Sequence, residues 1–222
     1  MNVLLITGTD SGVGKTWVAR ALGHALAAAG RRVVAIKPVE TGCEDATALL
    51  EDGALLAAAT GQREPLAALH RLAAPLAPAL AGEDEPIDLD ALILSIESLS
   101  VGAEVLLVEG VGGLLSPITW DWTVVELART LGATALVVGP DRMGTISHVL
   151  LTLSALELAG VPVTGVVLTA PEAPDASTGT NAPAIARLGG LERVATVPRL
   201  SDPVAAGAHV TPVLVWLDAP SP

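Results

Sequence analysis

The sequence has almost no aromatic residues: it contains four tryptophans among 222 residues, and no phenylalanine or tyrosine. Proteins that bind single-stranded nucleic acid by base stacking, and aromatic cages that bind quaternary amines, need several rings on one face. So few rings do not supply such a surface, and both classes of protein are excluded. The core must instead be built from Val, Leu, Ile and Ala.

Positive charge and cysteine are also scarce. The chain has 12 Lys and Arg against 24 Asp and Glu, a net charge of -12 that opposes binding to nucleic acid. The only cysteine, Cys43, excludes an internal disulfide and a Cys-rich metal site. We therefore expect a reducing, cytoplasmic compartment. The N-terminus has no basic region and no apolar run is long and clean enough for a span, so we expect neither a signal peptide nor a membrane partner.

Apolar residues are abundant, and their runs alternate between strand and helix length. Hydrophobic residues make up 51% of the chain, and runs such as 105–108 lack the polar alternation of half-exposed strands. This alternation predicts one domain over 1–222, an α/β fold with a doubly wound, mostly parallel sheet and helices on both faces. Strands are predicted at 3–7, 32–37, 104–109, 133–139, 161–169 and 194–197, and helices at 15–29, 48–60, 89–99, 124–131, 145–159 and 182–189. Segment 62–87 is predicted to be mostly irregular, and 171–181 a mobile loop.

A glycine-rich segment joins the first predicted strand to the first helix. It reads Gly8-Thr9-Asp10-Ser11-Gly12-Val13-Gly14-Lys15-Thr16, a variant of the phosphate loop in which the first glycine lies one residue early. Backbone N–H groups and the helix N-terminus would bind phosphate oxygens, Lys15 would reach the terminal phosphates, and the Thr16 hydroxyl would meet Mg²⁺. An incidental glycine-rich turn is the weaker alternative, because strand, loop and helix all occur in order.

Two more strand ends carry chemistry. Lys37 opens Lys-Pro-Val-Glu-Thr-Gly, and it is predicted to face the same crevice as Lys15, with the Thr41 hydroxyl nearby. Glu109 precedes Gly110, and an acid at this place in a nucleotide site is suited to Mg²⁺. Taken alone, the first motif could instead be a lysine that extends into solvent, and the second could be a solvated glutamate.

One further helix N-terminus is predicted near Gly144, where Gly-Pro-Asp-Arg-Met-Gly-Thr-Ile-Ser ends a strand and begins a helix. Such a terminus could bind a carboxylate or a phosphate through its N–H groups and dipole. Taken alone, the pattern has low specificity.

In combination, these motifs resemble the dethiobiotin synthetase family over roughly residues 1 to 200. The resemblance rests on Gly-Thr-Asp-x-x-Val-Gly-Lys-Thr, Lys-Pro-Val-x-Thr-Gly, Val-Glu-Gly-x-Gly-Gly and Gly-Thr-Ile-x-His, all in order at strand ends. It implies a P-loop NTPase-like fold and a cytoplasmic homodimer. It also implies an ATP- and Mg²⁺-dependent cyclo-ligase that joins CO₂ to 7,8-diaminononanoate as a carbamate, phosphorylates it, and closes the ureido ring of dethiobiotin, with ADP and phosphate as the other products.

The resemblance also implies roles for individual residues. Lys15 and Lys37 would be catalytic, and Thr16, Glu109 and Asp52 would hold Mg²⁺, with Asp45 as a competitor of Asp52. The nucleotide contacts would be Asp10, Ser11, Gly12, Val13, Gly14, Lys15, Thr16, Thr169, Pro198, Arg199 and Leu200. The substrate contacts would be Thr9, Lys37, Thr41, Gly112, Gly144, Thr145 and Ile146, the last three supplied by the partner subunit.

The chain departs from the family at the base-binding position. Thr169 stands where the family often has an asparagine for the purine, and Arg142 stands where some members have lysine. We therefore predict weak discrimination among nucleoside triphosphates.

Two other functions compete. The first is a dimeric regulatory or positioning ATPase with a deviant phosphate loop; such proteins usually carry a lysine five residues before the loop lysine, where this chain has Asp10. The second is an amidating ligase of cobalamin-type precursors, which would need an added glutaminase domain and hence a longer chain.

Overall fold

Six parallel strands form the central sheet of the computed structural model, which describes residues 1–84 and 86–219. The strands of the chain are β1 (Asn2–Gly8), β2 (Val33–Ile36), β3 (Val39–Thr41), β4 (His70–Leu72), β5 (Val105–Gly113), β6 (Thr134–Pro140), β7 (Val163–Thr169) and β8 (Val194–Val197). The order in the large sheet is β2-β5-β1-β6-β7-β8, and β3 pairs with β4 in a separate two-stranded sheet.

Helices cover both faces of the large sheet. They are α1 (Lys15–Ala28), α2 (Asp52–Thr60), α3 (Pro78–Ala81), α4 (Leu89–Leu99), α5 (Val124–Thr130), α6 (Thr145–Leu158), α7 (Asn181–Gly189) and α8 (Gly207–Asp218), with a 3-10 helix at Asp45–Leu50. Helices α1, α2 and α8 pack on one face, and α4, α5, α6 and α7 pack on the other.

Successive residues of the central strand β1 pack into the hydrophobic cores on opposite faces of the sheet. Leu4 and Ile6 of β1 lie in the core with α1 and α8, whereas Leu5 between them lies in the opposite core; all three are fully buried. A strand covered on both faces has no solvent side on which polar residues could alternate. The predicted doubly wound α/β fold is thereby confirmed.

The strand order fixes where the motifs meet. Strand β1 has β5 and β6 as parallel neighbours, and β2 lies on the other side of β5. The segments that follow β1, β2 and β5 therefore leave the same edge of the sheet, at adjacent positions.

Some predicted elements are wrong or incomplete. Segment 62–87, expected to be mostly irregular, contains β4 and α3, and the helix expected over 48–60 is divided at Glu51 into a 3-10 turn and α2. Helix α8 was not predicted at all. Its internal Pro212 argues against a helix locally, but Val210 and Val213 are fully buried, so tertiary packing outweighs propensity.

The segment 171–181, predicted to be a mobile loop, is held by hydrogen bonds and ends in the start of α7. Asp175 accepts from the backbone N–H of Met143 at 2.8 Å, and Asp141 accepts from Gly179 N–H at 2.9 Å. No helix within residues 1–84 and 86–219 is both long and apolar enough to cross a membrane.

Candidate active site

The phosphate loop wraps around the end of the Lys15 side chain. Gly12 and Gly14 have φ values of 70° and 96°, which glycine adopts without steric cost. Asp10 accepts a bond from Ser11 N–H at 2.7 Å, and its carbonyl oxygen accepts one from Lys15 Nζ at 3.0 Å. A side chain at Gly8 would meet that carbonyl oxygen and Val13. The early glycine of the variant motif is therefore a steric requirement of this loop.

A second lysine lies among three oxygen-bearing side chains. Lys37 Nζ is 2.6 Å from Glu109 Oε1 and 2.7 Å from Asp52 Oδ2. The Thr16 hydroxyl donates to the same Glu109 oxygen at 2.8 Å. Residues of α1, α2 and β5 and the lysine that directly follows β2 thus meet at one point, although 93 positions separate Thr16 from Glu109 in the chain.

Burial and charge give the two lysines opposite pKa shifts. Burial, with the nearby Lys37 ammonium, lowers the pKa of Lys15 to about 8. Burial also acts to lower the pKa of Lys37, but the carboxylates of Glu109 and Asp52 outweigh it and raise that pKa above its ordinary value. The surroundings of Lys37 thus favour its charged form, whereas Lys15 loses its proton at a lower pH than an ordinary lysine.

The two acids of the cluster, Glu109 and Asp52, also have opposite pKa shifts. Burial raises the pKa of Glu109, since the Lys37 ammonium offsets only part of its desolvation. Asp52 is less enclosed, and Lys37 lowers its pKa despite the opposing effect of burial. The Lys37 ammonium alone does not compensate both carboxylates, so a further cation beside Glu109 would stabilise its charged form.

A cavity of about 560 Å³ opens over this cluster. Lys15, Thr16, Lys37, Asp52 and Glu109 all line it. The predicted substrate contacts Thr41 and Gly112 line it as well, together with Arg20. Five of the predicted chemical groups thus face one space, and Asp52 rather than Asp45 is the acid that does so. Asp45 is almost fully exposed and pairs with Arg71 at 3.2 Å.

A neighbouring cavity of about 770 Å³ holds the predicted nucleotide contacts outside the phosphates. Thr169 and Arg142 line it, and so do Pro198, Arg199 and Leu200. The Thr169 hydroxyl donates to the Val13 carbonyl at 2.9 Å, so it supports the phosphate loop. Trp17 lines both this cavity and the phosphate cavity, and its indole N–H donates to Leu200 O at 3.1 Å.

A third cavity, of about 520 Å³, lies beyond the phosphate loop. Thr9, His148 and Leu151 line it, with residues 113–117. Gly144, Thr145 and Ile146 begin α6, but they line none of these three cavities in the described part of the chain. Thr145 is buried, and its hydroxyl oxygen lies 3.2 Å from where a side chain on Gly139 would start.

Comparison with known proteins places the chain in a family. A family model described as an AAA domain matches residues 2–206. The ATP-dependent dethiobiotin synthetase BioD of Anaeromyxobacter dehalogenans (strain 2CP-C) is 42% identical over 204 residues, which is 89% of this chain and 90% of that protein. The enzyme of the same name from Aquifex aeolicus (strain VF5) is 39% identical over 201 residues, 90% of each chain. The chain belongs to the dethiobiotin synthetase family.

Solved structures similar to this dethiobiotin synthetase family member share its fold. The MinC:MinD cell division protein complex of Aquifex aeolicus matches with a TM-score of 0.59 at 16% identity, over 100% of this chain and 98% of that chain. A nucleotide-binding protein in complex with ADP from Archaeoglobus fulgidus matches with a TM-score of 0.55 at 16% identity, over 98% and 90% of the two chains. These likenesses confirm the P-loop NTPase-like fold.

Sequence reasoning assigned no role to four side chains that border or support the site, although two of them lie in the motifs quoted above. Trp17 and Arg20 follow Thr16 by one and four positions on α1, so helical spacing could have indicated at least Arg20. His148 lies one turn into α6, four positions after Gly144. Glu40 lies inside the Lys37 motif itself, and its contacts are long-range, so no local pattern reveals them.

Proposed function

We propose that this protein is a dethiobiotin synthetase that closes the ureido ring of dethiobiotin from 7,8-diaminononanoate, CO₂ and ATP. The observation that carries the proposal is that Lys15, Lys37, Thr16, Asp52 and Glu109 all line one cavity. The carbamate formed from one amine and the γ-phosphate that it attacks are both anions, so their approach needs placed positive charge.

The two lysines divide this task. Lys15, with the N–H groups of the phosphate loop, binds the β- and γ-phosphates, whose negative charge raises its pKa so that it takes up a proton from solvent. Lys37 stays charged because of its two carboxylate partners, and its ammonium bridges the carbamate oxygen and the γ-phosphate. The carbamate oxygen then attacks phosphorus and ADP leaves. The second amine attacks the carbonyl carbon and expels phosphate, which carries away the proton that the amine loses. Thr41 lines the cavity beside Lys37 and binds the diamine end.

The side chains also fit a magnesium ion. Glu109 Oε2 is buried and has no hydrogen-bond partner among the described residues, although its other oxygen has two. The Thr16 hydroxyl and the Asp52 carboxylate lie beside it, and such hard oxygen ligands suit Mg²⁺. We assign Thr16, Asp52 and Glu109 to this ion. When bound, it neutralises charge on the β- and γ-phosphates.

The surface around the third cavity supports a homodimer. Leu115 and Leu151, 63% and 67% exposed, flank the third cavity, an apolar surface that association would cover. We assign that cavity, with Thr9 whose buried hydroxyl has no partner in the described chain, to the apolar body of the substrate. Gly144, Thr145 and Ile146 of the partner subunit, at the N-terminus of a helix, would bind the substrate carboxylate.

The ATP moiety outside the phosphates would occupy the cavity that Thr169 and residues 198–200 line. A regulatory ATPase of the same fold is the second candidate. It is disfavoured because Asp10, rather than a lysine, lies five positions before Lys15, and because such a regulator has no use for Lys37.

The test is nucleotide hydrolysis with Mg²⁺ and bicarbonate, in the presence and absence of the diamine. We expect phosphate release only with the diamine, and dethiobiotin as the product detected by mass spectrometry. Equal hydrolysis without the diamine would instead support the regulatory ATPase.

The Lys37 assignment has its own test. Lys37→Ala should abolish ring closure while nucleotide binding persists. Lys37→Gln keeps a hydrogen-bond donor but no charge, and it should have the same effect. This second variant controls for misfolding, because Lys37→Ala leaves the two buried acids without a partner. Unchanged product formation in either variant would remove the proposed role.

A further inference from the structure

Helix α2 carries Asp52 as its first residue, and its N-terminus is fixed by a side chain distant in sequence. The residue that precedes the helix, Glu51, makes no side-chain cap. Glu40 of β3 caps the helix instead: its Oε1 accepts from Asp52 N–H at 2.5 Å, and its Oε2 accepts from Gly53 N–H at 2.9 Å. Both oxygens of one buried carboxylate are therefore used to hold the turn that presents Asp52.

The same turn is confined from other sides. A side chain at Gly53 would overlap the backbone of Ala68, so the helix start is pressed against residues 67–68. Arg71 of β4, the register partner of Glu40, binds Glu51 through Nε at 2.7 Å and Nη2 at 2.8 Å. Both strands of the two-stranded sheet therefore bind the start of α2: β3 through Glu40 and β4 through Arg71.

Glu40, Asp52 and Lys37 form a closed loop of covalent and hydrogen bonds. Lys37 and Glu40 are three residues apart, Glu40 binds the backbone of Asp52, and the Asp52 carboxylate returns to Lys37 Nζ at 2.7 Å. A shift of α2 that moved Asp52 away from Lys37 would also break the bonds to Glu40. The position of Asp52 is thus set by the segment that supplies Lys37.

We propose that Glu40 is a positioning residue that fixes the Asp52 carboxylate at the metal site by capping helix α2. The inference rests on the metal role proposed above for Asp52. Residues that orient metal ligands typically contribute about 10- to 100-fold to metal affinity. Loss of the cap should therefore weaken metal binding. Glu40 lines the cavity as well, but both of its carboxylate oxygens accept from α2 and not from the phosphate loop, so we expect the loop to keep its affinity for nucleotide.

The experiment measures Mn²⁺ affinity by electron paramagnetic resonance, with a non-hydrolysable ATP analogue present. Glu40→Ala removes both acceptors, and we expect a loss of about 10-fold or more; Glu40→Gln keeps one carbonyl oxygen and should lose less. Calorimetry with the analogue in EDTA should give the wild-type nucleotide affinity for both variants. Circular dichroism verifies that each variant is folded.

Asp88→Ala is the matched control, because Asp88 caps α4 by accepting from Ala91 N–H at 3.0 Å, away from the site, and alanine removes that acceptor. We expect it to lower Tm without altering Mn²⁺ affinity. If Glu40→Ala lowers Tm but retains wild-type Mn²⁺ affinity, Glu40 is only a structural cap and the inference is overturned.

Glu109→Gln separates this inference from the proposed function. It should weaken Mn²⁺ binding directly, since Glu109 offers a free buried oxygen. Unchanged Mn²⁺ affinity in that variant would overturn the metal site and this inference with it. A loss in Glu109→Gln with none in Glu40→Ala would overturn the positioning role alone.

Discussion

Binding of nucleotide should draw a proton from solvent in alkaline solution, because of the lowered pKa of Lys15. In the free protein this pKa is about 8, through burial and the nearby Lys37 ammonium. Bound phosphates supply the negative charge that Lys15 lacks, so its pKa should return to about 10.4, the ordinary value for lysine. The protein therefore takes up the proton that Lys15 has lost.

The uptake follows from the fraction of Lys15 that is neutral before binding. With a pKa of about 8, this fraction is about 0.1 near pH 7, about 0.5 near pH 8 and about 0.9 near pH 9. Because only the charged form binds well, affinity should fall by about tenfold from pH 7 to pH 9. The sign is fixed: nucleotide affinity decreases as pH rises through the pKa of the free lysine.

Isothermal titration calorimetry in buffers of different ionisation enthalpy measures this uptake. The ligand is a non-hydrolysable ATP analogue, and EDTA prevents metal binding from contributing to the proton uptake. The phosphates of the analogue are already ionised between about pH 7 and about pH 9. Lys15→Arg is the control, since a guanidinium stays charged and should take up no proton. A wild-type binding enthalpy independent of buffer near pH 9 would refute the reasoning.

Two further predictions concern Thr169 and the packing of α8. The Thr169 hydroxyl is engaged with Val13, so ATP and CTP should give kcat/KM values within about tenfold of each other; steady-state rates check this, and a strong ATP preference would contradict it. Gly165→Ala would place a Cβ 2.6 Å from the ring of Trp216, so urea unfolding should show a loss of about 1–3 kcal/mol. Gly207→Ala, with its nearest atom at 3.9 Å, should be neutral or stabilising, and equal losses would contradict the packing argument.

Local patterns were sufficient for the fold class. Runs such as Val105–Val108 need no distant information to indicate a strand buried on both faces, and the loop from Gly8 to Thr16 carries its phosphate chemistry in its own order. Elements that depend on tertiary packing were missed. Helix α8 contains Pro212 and forms because Val210 and Val213 are buried, and β4 exists only through its pairing with β3.

The sequence by itself determined which chemical groups this protein has. Lys15, Thr16, Lys37 and Glu109 each follow or precede a recognisable strand or helix end, so their types and approximate places could be predicted. Tertiary structure decided which of them meet and in what state of charge. The presence of Asp52 rather than Asp45 at the cavity, the opposite pKa shifts of the two lysines and the cap from Glu40 all arise from burial and from contacts between separate elements. Desolvation and Coulomb energies depend on distance in space, which local sequence patterns do not encode.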